Sequence, residues 1–383
     1  MNSEQSLLQN VPGAGGKTPT ADDVVSPTLS VIVPVHNGAM YLSRCLESLR
    51  QSEYPHFEVI VVDDCSTDSS AEIAKRYGAR CFRTPHILGP AGARNMGVAY
   101  ALAGIFVFVD ADVVLPSNAL DLIAMDFAGD AQLAALFGSY DDAPACDCFL
   151  SQYKNLAHSY VHQNSSERAL TFWAGCGAVR REPFVKFGGF NATRYPHPSI
   201  EDIELGYRLS LGGQTIKLNK QLQVKHLKRW TLRSLLKADI LRRAVPWTRL
   251  ILETRHLPRD LNLTSRARVS AGLVGLLSAA WVLLFSQAAH ILPTITFFPH
   301  ARLAELAAIA VVTMVLAALN WDVYAFFANK RGWWFAARVV PMHWFYYFYS
   351  GVVFITCGTL VMLRAFVGSL LPGLMELPGG FRQ

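Results

Sequence analysis

Two carboxylates follow directly on an apolar segment near the first third of the chain. Asp110 and Asp112, separated by one alanine, end the run Ile105–Val109. An apolar run of this length predicts a buried strand, whose end would deliver both carboxylates to the rim of a sheet. Hard divalent cations such as Mg²⁺ or Mn²⁺ prefer carboxylate oxygen and are often shared between protein and substrate phosphates. The pair therefore predicts a cation site that holds a diphosphate.

Two further acid pairs stand where an α/β domain presents its ligands. Asp63 and Asp64 end the apolar run Phe57–Val62, and Glu201–Asp202 follow a proline-rich loop and open a helical segment. A carboxylate at a helix N-terminus is favoured by the helix dipole, and a general base must reach the hydroxyl that it deprotonates. Structural alternatives stay open at this point. Asp202 can instead cap its helix, and Asp63 and Asp64 can form a turn.

The segments around these acids alternate between strand and helix patterns. Short β-branched or aromatic runs predict strands, and apolar residues at helical spacing predict helices. The predicted strands are Leu29–Val35, Phe57–Val62, Cys81–Phe82, Ile105–Val109, Leu133–Tyr140, Thr171–Val179, Thr215–Leu218 and Leu222–His226. The predicted helices are Ala39–Gln51, a segment capped by Ser66 or Asp68 that ends at Tyr77, Gly89–Ala103, Cys148–Gln163 and Ile200–Leu211. This alternation predicts a mostly parallel α/β sheet with helices on both faces, which binds ligands beyond the carboxyl ends of its strands.

The composition predicts a soluble domain joined to a membrane part. Of the 383 residues, 51% are hydrophobic and only 17% are charged. Twelve Lys and Arg against three acids between Lys225 and Arg268 give this block a local charge of +9, above the +6 of the whole chain. Nucleic acid or an anionic membrane surface would suit such a block, and the apolar runs beside it favour the membrane. The seven cysteines form no Cys-x-x-Cys pair and are expected to be reduced.

Three apolar runs near the C-terminus predict membrane spans. Val269–Leu292 has 24 residues without a charge, which is long enough to cross a bilayer. We expect spans at about 269–292, 303–327 and 344–366, with a re-entrant hairpin as the alternative for the second. The Lys and Arg distribution places the preceding domain in the cytoplasm by the positive-inside rule. Trp230–Leu252 is basic and amphipathic, which is typical of a membrane interface, although an ordinary surface helix is an alternative.

Six short motifs, in order along the first part of the chain, match a known pattern. They are Ser30-Val-Ile-Val-Pro-Val-His-Asn37, Glu58-Val-Ile-Val-Val-Asp-Asp-Cys-Ser-Thr-Asp68, Gly92-Ala-Arg-Asn-Met-Gly97, Phe108-Val-Asp-Ala-Asp112, Gly188-Gly-Phe-Asn191 and Glu201-Asp-Ile-Glu-Leu205. None is specific alone, but their order and spacing resemble the family-two inverting glycosyltransferases over about residues 29–230. The resemblance implies a GT-A nucleotide-sugar-binding domain.

Carried over position by position, the resemblance implies a nucleoside site. Pro34 and the pair Asp63–Asp64 would hold the nucleoside, with one carboxylate accepting a hydrogen bond from the base. Arg94 would lie near the base and the phosphates. His36 stands where the family often has Tyr, and Cys65 where it often has Gly. The way His36 meets the base, and with it the identity of the nucleotide, stays open.

The same resemblance implies a cation site and a base. Asp110 would take the ribose and share a Mg²⁺ or Mn²⁺ ion with Asp112, the expected direct ligand. His226 is expected as a further ligand, with an interfacial histidine as the alternative. Asp202 would be the general base, beside Glu201.

The segment His226-Leu-Lys-Arg-Trp230 bears on processivity and phosphate binding. Processive members of the family carry Gln where His226 stands, so a single transfer is favoured over polymerisation. Arg229 and Trp230 are expected at the substrate, where Arg229 would hold either the diphosphate or lipid headgroups. Gly175, in Gly-Cys-Gly after an aromatic segment, is expected to line the acceptor site because glycine allows close backbone approach, with a strand bulge as the alternative.

These features together predict four regions and one activity. We expect a disordered tail over 1–28 without a signal peptide, a catalytic domain over 29–229, a basic interfacial segment over 230–268 and a membrane domain over 269–383. The expected activity is inverting, metal-dependent transfer of one sugar from a nucleotide-diphosphate sugar to a membrane lipid or lipid-linked acceptor. A non-catalytic nucleotide-sugar-binding scaffold, a polysaccharide synthase and a nucleotidyl transferase are the alternatives.

The expected setting follows from the same features. The protein would be a multi-pass component of a bacterial-type cytoplasmic (inner) membrane, with its catalytic domain facing the cytoplasm and a role in the cell envelope. No nucleic-acid partner is expected. A carboxylate base favours a hydroxyl acceptor, because a phosphate acceptor is already anionic and has little need of a base.

Overall fold

The structure is a computed structural model that describes residues 28–257, 261–289 and 301–370. It divides into two compact units, Met1–Leu235 and Leu236–Gln383. The predicted N-terminal tail, apart from its last residue, lies outside the described residues, as do the end of the first predicted span and the C-terminal residues 371–383.

The first unit alternates strands and helices as its sequence pattern predicts. Its strands are β1 (Leu29–Val35), β2 (Phe57–Asp63), β3 (Arg80–Arg83), β4 (Ile105–Val109), β5 (Val113–Val114), β6 (Leu133–Tyr140), β7 (Arg168–Ala169), β8 (Cys176–Arg180) and β9 (Thr215–His226). Its helices are α1 (Ala39–Arg50), α2 (Ser70–Arg76), α3 (Gly89–Tyr100), α4 (Ala119–Gly129), α5 (Phe149–Asn164), α6 (Arg181–Lys186) and α7 (Glu201–Leu211).

Within residues 28–257 the strands form one nine-stranded sheet in the order β3-β2-β1-β4-β8-β6-β9-β5, with β7 paired to β9. The strands β3, β2, β1 and β4 are parallel neighbours, as predicted. Beyond β4, strand β8 runs antiparallel to both β4 and β6, and β9 is parallel to β6. The sheet is therefore mixed, with its parallel half formed by the first strands of the chain.

Apolar side chains cover both faces of the sheet. Along β1, Val31 and Val33 belong to one buried cluster and Ile32 to another, because successive side chains of a strand point to opposite faces. Parallel strands with helices on both sides are apolar on both faces, which explains the unbroken apolar runs in the sequence.

The strand register brings the two predicted acid pairs to one edge. Ile32 of β1 pairs with Ile60 of β2 on one side and with Phe108 of β4 on the other. The residues that follow these partners, Asp63–Asp64 and Asp110–Asp112, therefore emerge at the same carboxyl edge on either side of β1. Ligand sites of open α/β sheets lie at such an edge.

Three predicted strands differ from the structure. β9 is one continuous strand where the sequence predicted two, Thr215–Leu218 and Leu222–His226. The side-chain oxygen of Asn219 accepts hydrogen bonds from the amides of Gln221 and Leu222, so that the polar residues between the two predicted strands form a bulge within β9. The predicted strand Thr171–Val179 is wrong over its first half, since pairing begins only at Cys176.

The second unit is helical. A π-helical stretch (Lys237–Ala244) leads into α8 (Val245–Thr254), and a short 3₁₀ turn (Leu261–Leu263) precedes the long helices. These are α9 (Ser265–Ala288), α10 (Ala301–Leu319), α11 (Trp321–Arg331) and α12 (Trp333–Leu370). Among the described residues, three segments are long and apolar enough to cross a membrane: Ser265–Ala288, Arg302–Leu319 and Trp333–Leu363. They indicate association with a membrane.

A buried polar cluster interrupts the second apolar segment. Asn320, fully buried between α10 and α11, donates hydrogen bonds to Ser270 Oγ (3.0 Å) and the Leu316 carbonyl (2.9 Å), and accepts one from Tyr347 Oη (3.0 Å). Polar side chains that bond between helices hold apolar helices together. The helix that the sequence predicted over 303–327 is thus divided at Asn320, and the third begins at Trp333 with Pro341 inside it.

Candidate active site

A buried arginine joins the carboxylates from two distant parts of the chain. Arg94, on α3, has a side chain only 5% exposed. Its Nη2 donates to Asp110 Oδ1 at 2.7 Å, and its Nη1 donates to Glu201 Oε1 at 2.9 Å. The ring of Phe190 lies under the guanidinium, 5.5 Å from its central carbon. Arg94 therefore fixes the end of β4 against the start of α7, which carries Asp202.

A second connection between the same two parts runs through the backbone. The amide of Asp110 donates to the carbonyl of Gly175 (3.1 Å), and the amide of Ala174 donates to Asp202 Oδ2 (3.1 Å). Gly175 and Ala174, the two residues before β8, thus bind Asp110 and Asp202 respectively. The structure brings these two predicted site residues together, as the hypothesis of a single active site requires.

Gly175 has no room for a side chain. A Cβ at this position would lie 2.4 Å from Cζ2 of the Trp173 indole, which folds over the glycine. Contacts this close do not occur between real atoms, so a larger residue must displace the indole or the backbone beside it. Because the carbonyl of Gly175 binds the Asp110 amide, a displaced backbone would also displace Asp110. The glycine therefore matters for the position of this carboxylate as well as for local packing.

Asp202 lies in the first turn of α7 and is not its cap. Ile200 occupies the N-cap position, and Asp202 Oδ1 accepts from the amide of Ile203 at 2.8 Å. Burial and the neighbouring Glu201 raise the pKa of Asp202 to about 6, although Arg94 and the two backbone donors act in the opposite direction. A carboxylate with a pKa close to the working pH is suited to proton transfer.

His226 lies beside Asp112 because β9 pairs with β5. Val113 is opposite His226 in this ladder, and the amide of Leu227 donates to the carbonyl of Asp112 at 2.8 Å. His226 Nε2 is 3.5 Å from Asp112 Oδ2. Burial alone would raise the pKa of Asp112, but His226 and Lys228 bring it below its usual value. His226 is buried in the first unit, and its role as a metal ligand stays a prediction.

The fit of this group to a divalent cation can be tested on its donor atoms. In the part of the chain that the structure describes, no three His, Cys, Asp or Glu side chains converge as a complete metal site. Two of the predicted ligands, Asp112 and His226, are adjacent, and Mg²⁺ typically takes one or two carboxylates together with substrate phosphates. Burial and the charge of Asp112 also raise the pKa of Asp110, against the effect of Arg94. The carboxylates at this edge of the sheet are thus not fully neutralised by cationic side chains. Their oxygen atoms and the imidazole of His226 fit a hard cation shared with a diphosphate.

Asp63 and Asp64 hold loops of the first unit together. Asp64 Oδ1 accepts from Thr84 Oγ1 (2.9 Å) and the Leu88 amide (2.7 Å), and its Oδ2 accepts from the Gly89 amide (2.8 Å). Asp63 is fully buried and accepts from the Ser66 amide at 3.0 Å. Both acids thus act as turn residues, and their predicted contact with a nucleoside stays a prediction.

The loops after β1 and β2 are bound to each other. His36 Nδ1 donates to the carbonyl of Asp64 (2.6 Å), and Asn37 Oδ1 accepts from the Thr67 amide (2.8 Å). Cys65 has a positive φ of 56°, a conformation that favours glycine, which explains why the family often has glycine there. Pro34 lies half-buried in β1 next to these loops.

The end of β9 leads into Arg229 and Trp230. Arg229 is exposed, and the Lys228 ammonium lies 4.5 Å from the Trp230 ring centroid. The Trp230 amide donates to Ser151 Oγ at 2.8 Å. Its buried indole nitrogen makes no hydrogen bond within residues 28–257, 261–289 and 301–370. A buried donor without an acceptor is costly.

Sequence reasoning missed Tyr140, the last residue of β6. Its ring stacks on that of His226 with centroids 4.3 Å apart and planes 11° from parallel. The contact fixes the imidazole plane beside Asp112. No local pattern marks Tyr140, because the contact depends on the parallel pairing of β6 with β9, in which Tyr140 is opposite Val224.

The fold and the site together define a GT-A type α/β domain with carboxylates gathered at one rim of its sheet. Residues 30–186 match the family model described as Glycosyl transferase family 2. The match covers 157 of the 383 residues and lies within the region whose motifs resemble this family.

Similar proteins agree with this match. Glycosyltransferase GlyG of Streptococcus pneumoniae serotype 4 is 33% identical over 104 residues, which are 26% of this chain and 35% of GlyG. The poly(ribitol-phosphate) beta-N-acetylglucosaminyltransferase TarS of Staphylococcus aureus is 38% identical over 90 residues, 22% of this chain and 16% of TarS. In both cases the match spans less than half of the relative's own length.

One solved structure resembles the chain over most of its length. The mannosyltransferase PcManGT from Pyrobaculum calidifontis, solved in complex with GDP-Man and Mn²⁺, superposes with a TM-score of 0.56 at 19% identity. The superposition covers 92% of both chains. The likeness concerns the fold, and it confirms the predicted α/β class.

Proposed function

We propose that this protein is an inverting, metal-dependent glycosyltransferase that moves one sugar from a nucleotide-diphosphate sugar to a membrane lipid or lipid-linked acceptor. The observation that carries the proposal is the link from Asp110 through Arg94 to Glu201, beside Asp202. Asp110, on the side of the donor, and Asp202, whose pKa suits a base, are thus held in one cluster. The match of residues 30–186 to the family 2 model supports sugar transfer as the reaction.

The donor would bind at the carboxyl edge of the parallel strands. PcManGT, which shares the fold, was solved with GDP-Man and Mn²⁺. Asp112 and His226, with Asp110 beside them, would hold a Mg²⁺ or Mn²⁺ ion. When bound, such an ion neutralises the diphosphate as it leaves. The exposed Arg229 would bind phosphate oxygens of the donor, and Trp230 would lie beside it at the substrate.

Asp202 would accept the proton of the acceptor hydroxyl. Inverting transfer needs a base on the side of the sugar opposite the leaving group, and the pKa of about 6 leaves Asp202 mostly ionised at neutral pH. Arg94 and the amide of Ala174 orient this carboxylate relative to Asp110. The relative TarS is named as a beta-N-acetylglucosaminyltransferase, and a beta-linked product is compatible with inversion.

The acceptor is inferred from the membrane segments. Three described segments are apolar enough to cross a bilayer, and the basic block Lys225–Arg268 lies between them and the catalytic domain in sequence. Basic residues next to spans face the cytoplasm and bind anionic headgroups. We therefore place the catalytic domain on the cytoplasmic side of an inner membrane, where its acceptor is a lipid or a lipid-linked sugar.

Donor identity is the first point to test. A thermal-shift screen of UDP-, GDP- and dTDP-sugars with and without Mn²⁺ should raise the melting temperature for one nucleotide, because a ligand of the folded state stabilises it by mass action. Transfer is then followed by release of the nucleoside diphosphate. Release of pyrophosphate would indicate nucleotidyl transfer, and absence of any turnover would indicate a binding scaffold.

The assignment of the base has its own test. Asp202→Asn should abolish transfer and leave donor binding within about twofold. Glu182→Gln is a matched control, because Glu182 also lies in the first turn of a helix, α6, but is exposed. Full turnover by Asp202→Asn would refute the role of Asp202 without changing the match to the family model.

A further inference from the structure

Two thiols are in close contact in the loop before α5. Cys146 and Cys148 are separated by Asp147, and their Sγ atoms are 2.9 Å apart. This distance is shorter than the roughly 3.5–4.0 Å of ordinary van der Waals contact and longer than the about 2.05 Å of a disulfide bond. Both cysteines are free and partly exposed, so a soluble oxidant can reach them.

The surroundings of Cys148 favour its thiolate. Cys148 is the N-cap residue of the 16-residue helix α5, and the positive end of a helix dipole stabilises an anion. Ser151 Oγ lies 3.0 Å from Cys148 Sγ and accepts a hydrogen bond from the Trp230 amide. Its own proton is therefore free to point at the sulfur. Although burial opposes ionisation, contacts with Cys146 and Ser151 and the nearby Arg229 lower the pKa of Cys148.

Three other described thiols of this unit lack these features. Cys45 and Cys176 are fully buried, and burial raises their pKa. Burial also raises the pKa of Cys81. Reactive cysteines are exposed and have a lowered pKa, so these three are not expected to react.

We infer that Cys146 and Cys148 form a reversible dithiol–disulfide site that reacts with low-molecular-weight disulfides. The Cys148 thiolate attacks one sulfur of the oxidant, the disulfide bond of the oxidant breaks, and one thiolate leaves. Cys146, after losing its proton to water, attacks Cys148 Sγ and expels the second thiolate. Two protein thiols are oxidised by two electrons, and the disulfide is reduced to two thiols.

The site touches the segment that ends β9. The amide of Ala145 donates to the carbonyl of His226 at 3.1 Å, and the Trp230 amide bonds to Ser151. Closing a ring over three residues must turn Cys148 away from Ser151 and strain the loop. Strained, exposed disulfides are the labile and regulatory ones. Oxidation therefore loosens the His226–Trp230 segment and slows sugar transfer, a regulatory consequence that rests on the proposed function.

The test uses the full chain in detergent. After incubation with excess glutathione disulfide, free thiols are alkylated and peptides are mapped by mass spectrometry. We expect the peptide with Cys146 and Cys148 to lose about 2 Da, the mass of two hydrogens, and to regain it with dithiothreitol. Cys146→Ser should trap a glutathione adduct on Cys148, and Cys148→Ser should slow oxidation at least about tenfold. Cys81→Ser is the matched control and should behave as the wild type.

Two results would overturn the site. One is alkylation of both cysteines after oxidation, and the other is equally fast oxidation in urea, where the folded contacts are lost. Coupling to the active site is read by hydrogen exchange of residues 226–231, which should increase in the oxidised form, and by transfer rate. Unchanged exchange with the disulfide formed would refute the coupling. Failure of the proposed function would instead appear as absence of transfer in both redox forms, with the mass change intact.

Discussion

The pH dependence of transfer tests the electrostatic environment of Asp202. Its pKa of about 6 makes the ionised fraction about nine-tenths at pH 7 and about one-tenth at pH 5. If the carboxylate is the base, kcat/KM falls about tenfold between these pH values, because a protonated carboxylate cannot accept the hydroxyl proton. With its usual pKa near 4, the same change of pH would lower kcat/KM by only about 10%.

The assay measures nucleoside diphosphate release at limiting acceptor across pH 5 to 8. His226 lies beside Asp112 in the same site, so its contribution must be separated. His226→Gln should weaken cation binding and keep the acid limb near pH 6 when Mn²⁺ is saturating. Asp202→Asn should show no acid limb in any residual activity. Donor binding, followed independently by thermal shift, should be flat over the same range.

Two outcomes would refute this reasoning. A profile that is flat down to pH 5 would mean that Asp202 is either fully ionised or not the base. An acid limb that vanishes in His226→Gln but persists in Asp202→Asn would assign the titration to the imidazole. Neither outcome would affect the match of residues 30–186 to the family 2 model.

Three further changes test the contacts that hold the site. Gly175→Ala drives a Cβ into the indole of Trp173 and should lower kcat about tenfold to a hundredfold, because the site residues beside it are misplaced. Gly104→Ala, which has open space around it, should leave kcat unchanged. The kcat and the melting temperature are measured for both variants. Arg94→Lys should lower kcat at least about tenfold, because an ammonium cannot span two carboxylates as a guanidinium does; steady-state kinetics will show whether donor KM changes less. Chelation by EDTA should abolish transfer and Mn²⁺ restore it, and His226→Gln should raise the Mn²⁺ concentration at half-activity at least about tenfold.

Local sequence patterns were sufficient where a site residue directly follows a strand. Val109 ends β4 and Asp63 ends β2, so the apolar runs alone located the carboxylates that follow them. The common edge then followed from the parallel alternation. The general rule that α/β sheets bind ligands at their carboxyl ends made this part of the site predictable.

The long-range contacts were not predictable in the same way. Arg94 and Glu201 are 107 residues apart, and no periodicity in either segment reports the other. The resemblance predicted Arg94 near the nucleotide, which stays a prediction, but it did not predict that the buried guanidinium holds two carboxylates. The stacking of Tyr140 on His226 depends likewise on the pairing of β6 and β9. Contacts of this kind arise from packing of the whole unit, which local propensity does not determine.

The redox site shows a second kind of omission. Cys146-Asp-Cys148 does not have Cys-x-x-Cys spacing, and Cys-x-Cys is too common a pattern to carry a prediction alone. The structure adds the sulfur–sulfur contact and the helix start at Phe149. It is this combination, and not the spacing, that distinguishes the pair from the buried cysteines.

The distribution of charge around Arg94 supports the role proposed for Asp202. Arg94 gives its two terminal nitrogens to Asp110 and Glu201, and Asp112 has an imidazole beside it. The partners of Asp202 are backbone amides, which donate hydrogen bonds but carry no net charge. Burial next to Glu201 therefore raises its pKa. A carboxylate fully neutralised by an arginine would be too weak a base for a hydroxyl. In the pair Glu201–Asp202, the first acid anchors the arginine, and the second keeps the basicity that the proposed mechanism requires.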